Sequence, residues 1–277
     1  MTKQKKVLVI CVIIILMILI GLCTTPEYMN ITYLKRCIAW GSSDVEDYKR
    51  FPYHVVNNGT SIFNFKKSIQ KDLIEPLSKD VEYKYKGQTK QVGDIDKFLQ
   101  DTNTTAFIVI KDDSILYERY FNGYNRDSIN TSFSTAKSFV SALIGIAIDE
   151  GYIKNVDQPI TDYIPELRGK GFDKVTIKNL LSMSSSIKYI EYPWPTGDNT
   201  KTYYSTDLRR LAIEEVNLED QIGQYFHYNN YHPLLLGLIL ERATLRSVAE
   251  YLEEEIWKPL GMEYPASWSV DSTESGF

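Results

Sequence analysis

Phe133-Ser134-Thr135-Ala136-Lys137-Ser138 leads into the apolar run Phe139 to Ile148, and how that junction is read decides the rest of the chain. If a helix opens at Ser134, Lys137 sits three residues on, on the same face. An amine then stands beside a hydroxyl at the positive end of a helix. A serine hydroxyl is a weak nucleophile until a neighbouring base takes its proton. A lysine serves as that base, or as part of it, when burial and nearby groups lower its pKa. The helix N-terminus also favours the negative charge that develops during attack. A plainer reading is open too: Ser134 as a helix N-cap, for which serine is a favoured residue, with Lys137 solvated.

Ser-x-x-Lys occurs three times, at Ser68–Lys71, Ser134–Lys137 and Ser185–Lys188, so the spacing alone selects nothing. Context does. Ser68 lies in a polar, lysine-rich segment. Ser185 belongs to the serine run Ser184-Ser185-Ser186 at the end of an apolar stretch. Only Ser134 precedes a run that is apolar almost all round (Phe139, Val140, Ala142, Leu143, Ile144, Ile146, Ala147, Ile148), which predicts a helix buried on most sides. Gly151 is its natural stop.

The first residues carry a different signal. Lys3, Lys5 and Lys6 precede a nearly continuous hydrocarbon stretch, Val7 to Cys23, at the short end of a membrane span. The lysines predict a cytoplasmic N-terminus and an extracytoplasmic remainder. An uncleaved signal anchor is the first reading, since no small-x-small cleavage site follows. A cleaved secretory signal is the second. A lipoprotein signal ending at Cys23 is the third, with bulky Leu22 against it. Of three cysteines only Cys37 lies beyond this segment, so no disulfide forms within the outer part. Three histidines (His54, His227, His232) without CxxC or HExxH make no metal cluster. A net charge of −5 leaves no nucleic-acid footprint.

Residues 24–92 read as a juxtamembrane extension, broken by Pro26, Pro52, Pro76 and Asn57-Asn58-Gly59. Val92 to Leu99 suggests a short helix. Thr105 to Ile110 and Ile115 to Tyr120, joined by Lys111-Asp112-Asp113-Ser114, predict a β-hairpin. From Val156 to Leu181, prolines with Gly169 and Gly171 imply short helices and turns. Tyr228-Asn229-Asn230 precedes a second apolar helix, Leu234 to Leu240. In an extended loop Tyr228 and Asn230 would point to one side, a phenol and an amide aimed together at a cleft. With 20 tyrosines in the chain, an ordinary half-buried Tyr228 is the competing reading.

The order of these motifs carries a resemblance. Ser134-Thr135-Ala136-Lys137, Val156-Asp157-Gln158-Pro159, Tyr163-Ile164-Pro165-Glu166-Leu167 and Thr176 to Met183 come first. Tyr228-Asn229-Asn230 with Leu235-Leu236-Gly237 and Trp257 to Met262 follow. Together they resemble the serine β-lactamase and penicillin-binding-protein superfamily, and within it the class C β-lactamase-like branch. That branch also holds DD-peptidases, carboxylesterases and aminohexanoate-oligomer hydrolases. The resemblance runs from about Phe107 to the end. It implies a three-layer α/β (α+β) fold, an antiparallel sheet with flanking helices and a mostly helical subdomain. The expected organisation is an N-terminal anchor or signal (1–23), the extension (24–92) and an incomplete serine hydrolase domain (93–277).

By the same resemblance Ser134 is the acylated nucleophile and Lys137 shares its proton. Tyr228 is the general base and leaving-group acid, and Asn230 orients the substrate. The substrate is a small-molecule or peptide amide or ester, with no cofactor and no metal. Two departures stand out. The family usually has Ser-Gly where this chain has Ser185-Ser186. Its third motif, Lys-Thr-Gly or His-x-Gly on a cleft strand, has no counterpart after Asn230; Pro195-Thr196-Gly197 comes too early and Glu274-Ser275-Gly276 is terminal. The chain therefore reads as C-terminally truncated, lacking strands and a closing helix. The alternatives to a membrane-anchored hydrolase are a non-catalytic or acylation-only binding or sensor protein, or an inactive fragment.

Overall fold

A computed structural model describes residues 30–69, 81–219, 221–273 and 275. In chain order its helices are α1 (Ile31–Trp40), α2 (Ile95–Asp101), α3 (Ala136–Asp149), α4 (Ile177–Leu181), α5 (Asp198–Tyr204), α6 (Leu208–Glu214), α7 (Tyr231–Thr244) and α8 (Val248–Leu252). Its strands are β1 (Tyr53–Val56), β2 (Lys66–Lys67), β3 (Glu82–Tyr85), β4 (Gln88–Gln91), β5 (Ala106–Lys111), β6 (Ser114–Tyr120) and β7 (Ala266–Ser269). The chain forms two compact units. Of the described residues, those within Met1–Asn58, Thr131–Pro259 and Pro265–Phe277 form one, and those within Gly59–Asn130 and Leu260–Tyr264 form the other.

The first unit is built around α7. Leu235, Leu236, Gly237, Leu238, Ile239 and Leu240 are all buried in an unbroken row. Six successive residues can all be buried only if neighbours surround the helix, and α3, α4, α6 and α8 all contact it. Each such Leu or Ile contributes about 1.5–3 kcal/mol of apolar burial. The α3 helix, expected to be buried on most sides, instead buries a stripe. Val140, Leu143, Ile144 and Ala147 face inward at helical spacing, while Ala142 is exposed. The difference is one of neighbours: α3 packs against α7, α8 and the Glu253–Trp257 turn, whereas four helices contact α7. Gly151 stops this helix as its sequence predicts, with φ at +81°, a conformation glycine adopts without the cost a Cβ brings.

The expected string of turns between Gly151 and α4 is present as three short 3₁₀ segments, Ile160–Asp162, Pro165–Leu167 and Phe172–Lys174. Thr176 and Asn179 then form a reciprocal capping box that opens α4. Within the extension, α1 docks in this unit. Asn30 caps it, Tyr33 and Cys37 are buried with Tyr204, and the Arg36 guanidinium reaches the carbonyls of Ser205 and Asp271 at 2.9 Å each. Cys37 is a free thiol. β1 pairs antiparallel with β7, Tyr53 opposite Ser269.

The second unit holds the predicted hairpin, β5 antiparallel to β6, and extends it by β2, which runs parallel to β6. Lys111 pairs with Ser114, so the loop is two residues, Asp112 and Asp113. Both have positive φ, as a tight hairpin turn that follows the strand twist demands. The short helix foreseen at Val92–Leu99 begins later, because Asp94 caps it by accepting from Lys97 N at 2.9 Å. β3 and β4 form a separate antiparallel pair. Among the described residues no helix is long and apolar enough to cross a membrane. The apolar segment Val7 to Cys23 lies outside the described residues.

Candidate active site

Ser134 sits in a single 3₁₀ turn, Phe133–Thr135, that runs into α3. It does not cap that helix: the cap position falls to Thr135, which makes no side-chain capping bond. The Ser134 hydroxyl is used elsewhere. Lys137 Nζ donates to Ser134 Oγ at 2.9 Å, and the Tyr228 hydroxyl donates to the same oxygen at 2.8 Å. Lys137 Nζ also lies 5.1 Å from the centre of the Tyr228 ring. Phe133, just before the serine, has φ at +46°, an uncommon conformation for a bulky residue.

The three groups differ in how they are held. Lys137 rides on the first turn of α3, whose buried stripe anchors it. Tyr228 comes from the loop before α7 and is half exposed. Burial alone would raise its phenol pKa, but its hydrogen bonds with Ser134 and Lys137 and the lysine's charge outweigh that and hold it below the ordinary value. A phenol, an amine and a serine hydroxyl thus stand within hydrogen-bond reach of one another, the grouping that proton transfer to and from a nucleophile requires.

The other two Ser-x-x-Lys serines are placed quite differently. Ser185 is completely buried and hydrogen-bonded to His232, while Lys188 is exposed. Ser68 is exposed at the end of β2, and Lys71 lies outside the described residues.

Asn230 departs from the extended-loop expectation. Its backbone is already helical (φ −84°, ψ −15°) because it directly precedes α7. Its amide donates to the Tyr189 hydroxyl at 3.0 Å and to Thr202 Oγ1 at 3.1 Å. Tyr228 and Asn230 therefore address different partners. The His227 ring stands edge-on to Tyr189, with centroids 6.2 Å apart.

Sequence reasoning passed over the residues that hold the Tyr228 loop. Asn229 is fully buried. Its Oδ1 accepts from Tyr231 N at 2.9 Å and His232 N at 3.3 Å, and its Nδ2 donates to Ile187 O at 3.1 Å. An asparagine just ahead of an apolar helix is a capping signal that was available in the sequence. The Ser185–His232 contact had no such local signal. Ser186 has φ at +62°, which accounts for a glycine at the position in the family pattern and marks this chain's serine as a strained substitute. Among the described residues no group of His, Cys, Asp or Glu could hold a metal ion.

A β-lactamase family model matches residues 93–276. A 6-aminohexanoate-dimer hydrolase from Paenarthrobacter ureafaciens is 31% identical over 203 residues, covering 66% of this chain and 49% of that protein. A teichoic acid D-alanine hydrolase from Staphylococcus aureus (strain MRSA252) is 24% identical over 209 residues, covering 72% of this chain and 48% of that protein. The chain thus spans about half the length of these curated relatives. Among solved structures, a candidate 6-aminohexanoate-dimer hydrolase from Bacillus anthracis superposes with a TM-score of 0.70 at 27% identity, over 91% of this chain and 67% of that one. With the motif order, the fold and the Ser134 constellation in agreement, the chain belongs to the β-lactamase family of serine hydrolases.

Proposed function

We propose that this protein cleaves an amide or ester bond through an acyl-Ser134 intermediate. The observation that carries the reading is the double hydrogen bond at Ser134 Oγ, from Lys137 Nζ and Tyr228 OH. In the reactive form Tyr228 is a phenolate, which its hydrogen bonds to Ser134 and Lys137 favour. The Ser134 proton passes to the phenolate oxygen as Oγ forms a bond to the substrate carbonyl carbon. Tyr228 then gives that proton to the leaving nitrogen or oxygen as the old bond breaks. In the second half water takes the leaving group's place: its oxygen bonds to the acyl carbon as Tyr228 accepts its proton, and Tyr228 returns that proton to Ser134 Oγ as the acyl–serine bond breaks. Asn230 orients the substrate or, through Tyr189 and Thr202, the loop beside it. The names of the two curated relatives suggest an amide of a linear amino acid or a D-alanyl ester.

We place the catalytic unit outside the cytoplasm, tethered by Val7 to Cys23, on the strength of Lys3, Lys5 and Lys6 before that apolar run. Two measurements test the reading. Intact mass after exposure to a β-lactam or activated-ester probe should show one adduct in the wild type and none in Ser134→Ala. An adduct that survives in the variant rules out Ser134 as nucleophile. A reporter fused after Cys23 should give the extracytoplasmic signal, and a cytoplasmic signal defeats the topology.

A further inference from the structure

We infer that the buried pair Ser185–His232 is a positioning device for Tyr228, clamping the two chain segments between which that phenol is suspended. The inference rests on the proposed role of Tyr228 and goes further, assigning work to two residues outside the Ser134 constellation.

The geometry is a three-point clasp. One segment runs from Met183 to Ile187, the other from His227 to His232. His227 N donates to Met183 O at 2.8 Å, just before Tyr228. Asn229 Nδ2 donates to Ile187 O at 3.1 Å, just after it. Ser185 Oγ meets His232 Nε2 at 2.6 Å, closing the clasp in the interior. Both partners of this last contact are buried, Ser185 at 0% and His232 at 1% exposure. No substrate reaches them, so the pair is not a second nucleophile and base.

The pair can bond in either sense, Ser185 giving its hydrogen to Nε2 or Nε2–H giving its own to Oγ, while His232 Nδ1 is buried without a hydrogen-bond partner. Ser185 Oγ already accepts from Ile187 N at 3.1 Å. A hydroxyl that accepts one bond still has a hydrogen to give, and a neutral imidazole Nε2 can take it. An imidazolium cannot, because both its nitrogens are donors. Burial, and secondarily the electrostatic interaction with His227, pushes the His232 pKa down to about 4, so the neutral ring is the resident form near neutrality. The clasp also holds Met183 (φ +52°) and Ser186 (φ +62°) in left-handed backbone, a conformation non-glycine residues keep only where surrounding contacts enforce it. Without the pin, that turn has a reason to relax, and the Met183 carbonyl that fixes His227 moves with it.

Loss of the pin should therefore let the Tyr228 hydroxyl drift from Ser134 Oγ and Lys137. A misplacement of about 1 Å can cost roughly a hundredfold in rate. It should also remove the contacts that depress the phenol. The charged or titratable groups facing Tyr228 are Lys137, which lowers its pKa, and Tyr189 and His227, which flank its loop.

The test is the pH dependence of Ser134 acylation in the purified chain, using an activated-ester probe and intact mass. In Ser185→Ala and His232→Ala, acylation should slow tenfold to a hundredfold and its acid limb should move up in pH. His232→Gln, whose Oε1 can accept the Ser185 hydrogen, should restore both the rate and the limb. Ile239→Val, a buried change at the other end of α7, supplies the control: it lowers the melting temperature and leaves the limb in place. If the alanine variants do not fold, Ser185→Cys keeps the volume, weakens the hydrogen bond and should show the same shift. A limb unmoved in Ser185→Ala or Ser185→Cys, with rates falling only as the folded fraction falls, overturns the inference and leaves the pair a purely structural contact. A folded wild type that takes no adduct at Ser134 overturns the proposed function, and this inference with it.

Discussion

The Tyr228 hydroxyl lies 2.8 Å from Ser134 Oγ, across 94 residues of chain, and Lys137 Nζ approaches the same oxygen at 2.9 Å. Lys137 is brought there by helical periodicity and needs only the turn that α3 begins. Tyr228 is brought there by the packing of α7 against α3, so the constellation exists only in the folded unit.

That division of labour predicts unequal mutational effects. Tyr228→Phe should lower the rate of Ser134 acylation by about 10²–10⁴, the usual share of a positioned acid–base group, with little loss of stability at a half-exposed site. Stopped-flow or quenched labelling measures it. A rate within threefold of wild type removes Tyr228 from the chemistry.

The direction of the Tyr228 shift sets a pH dependence. Its folded pKa lies below the ordinary phenol value near 10, so the reactive phenolate is gained as pH rises through a point below that value. Lys137→Met removes a hydrogen bond and a positive charge, both of which lower the pKa. The acid limb of acylation should therefore move to higher pH in that variant, and a limb that stays or moves down contradicts the electrostatic account.

His232 carries a stability signature of its own. Its folded pKa is depressed from 6.5 to about 4, so the unfolded chain binds the extra proton first as pH falls. The contribution is fully present above about pH 6.5, declines as pH drops toward 4 and is spent below it. It amounts to about 3 kcal/mol across that window. Urea unfolding at several pH values should show this slope in the wild type and a shallower one in His232→Gln. Equal slopes refute the assignment.

Arg36 tests whether α1 belongs to the catalytic unit energetically. It is buried, and its guanidinium donates to the carbonyls of Ser205 and Asp271. Hydrogen bonds to a charged group are worth about 1.5–3 kcal/mol each, and a buried carbonyl left unpaired adds to the loss. Arg36→Met should cost about 2–4 kcal/mol by chemical denaturation. A loss below 0.5 kcal/mol would mean that α1 docks without stabilising the unit.

Much was legible in the residues themselves wherever a pattern is local. The spacing of Ser134 and Lys137, the apolar period of α3 and α7, the Gly151 stop and the Lys111–Ser114 hairpin connection each depend on neighbours within a few positions, where backbone geometry alone relates side chains. Even there the tertiary neighbours had the last word. The apolar run of α3 became a buried stripe, whereas α7, enclosed by four helices, became the centre. What only the folded unit decided are the meetings of distant segments: Tyr53 with Ser269 across β1 and β7, α1 with Tyr204, Ser185 with His232, and Tyr228 with Ser134. The direction of the Asn230 amide belongs with these, turned toward Tyr189 and Thr202 once α7 begins at the next residue. Such contacts have no period to announce them, since a side chain's partner across the core is set by how whole elements pack and by which buried polar groups must find a hydrogen bond there.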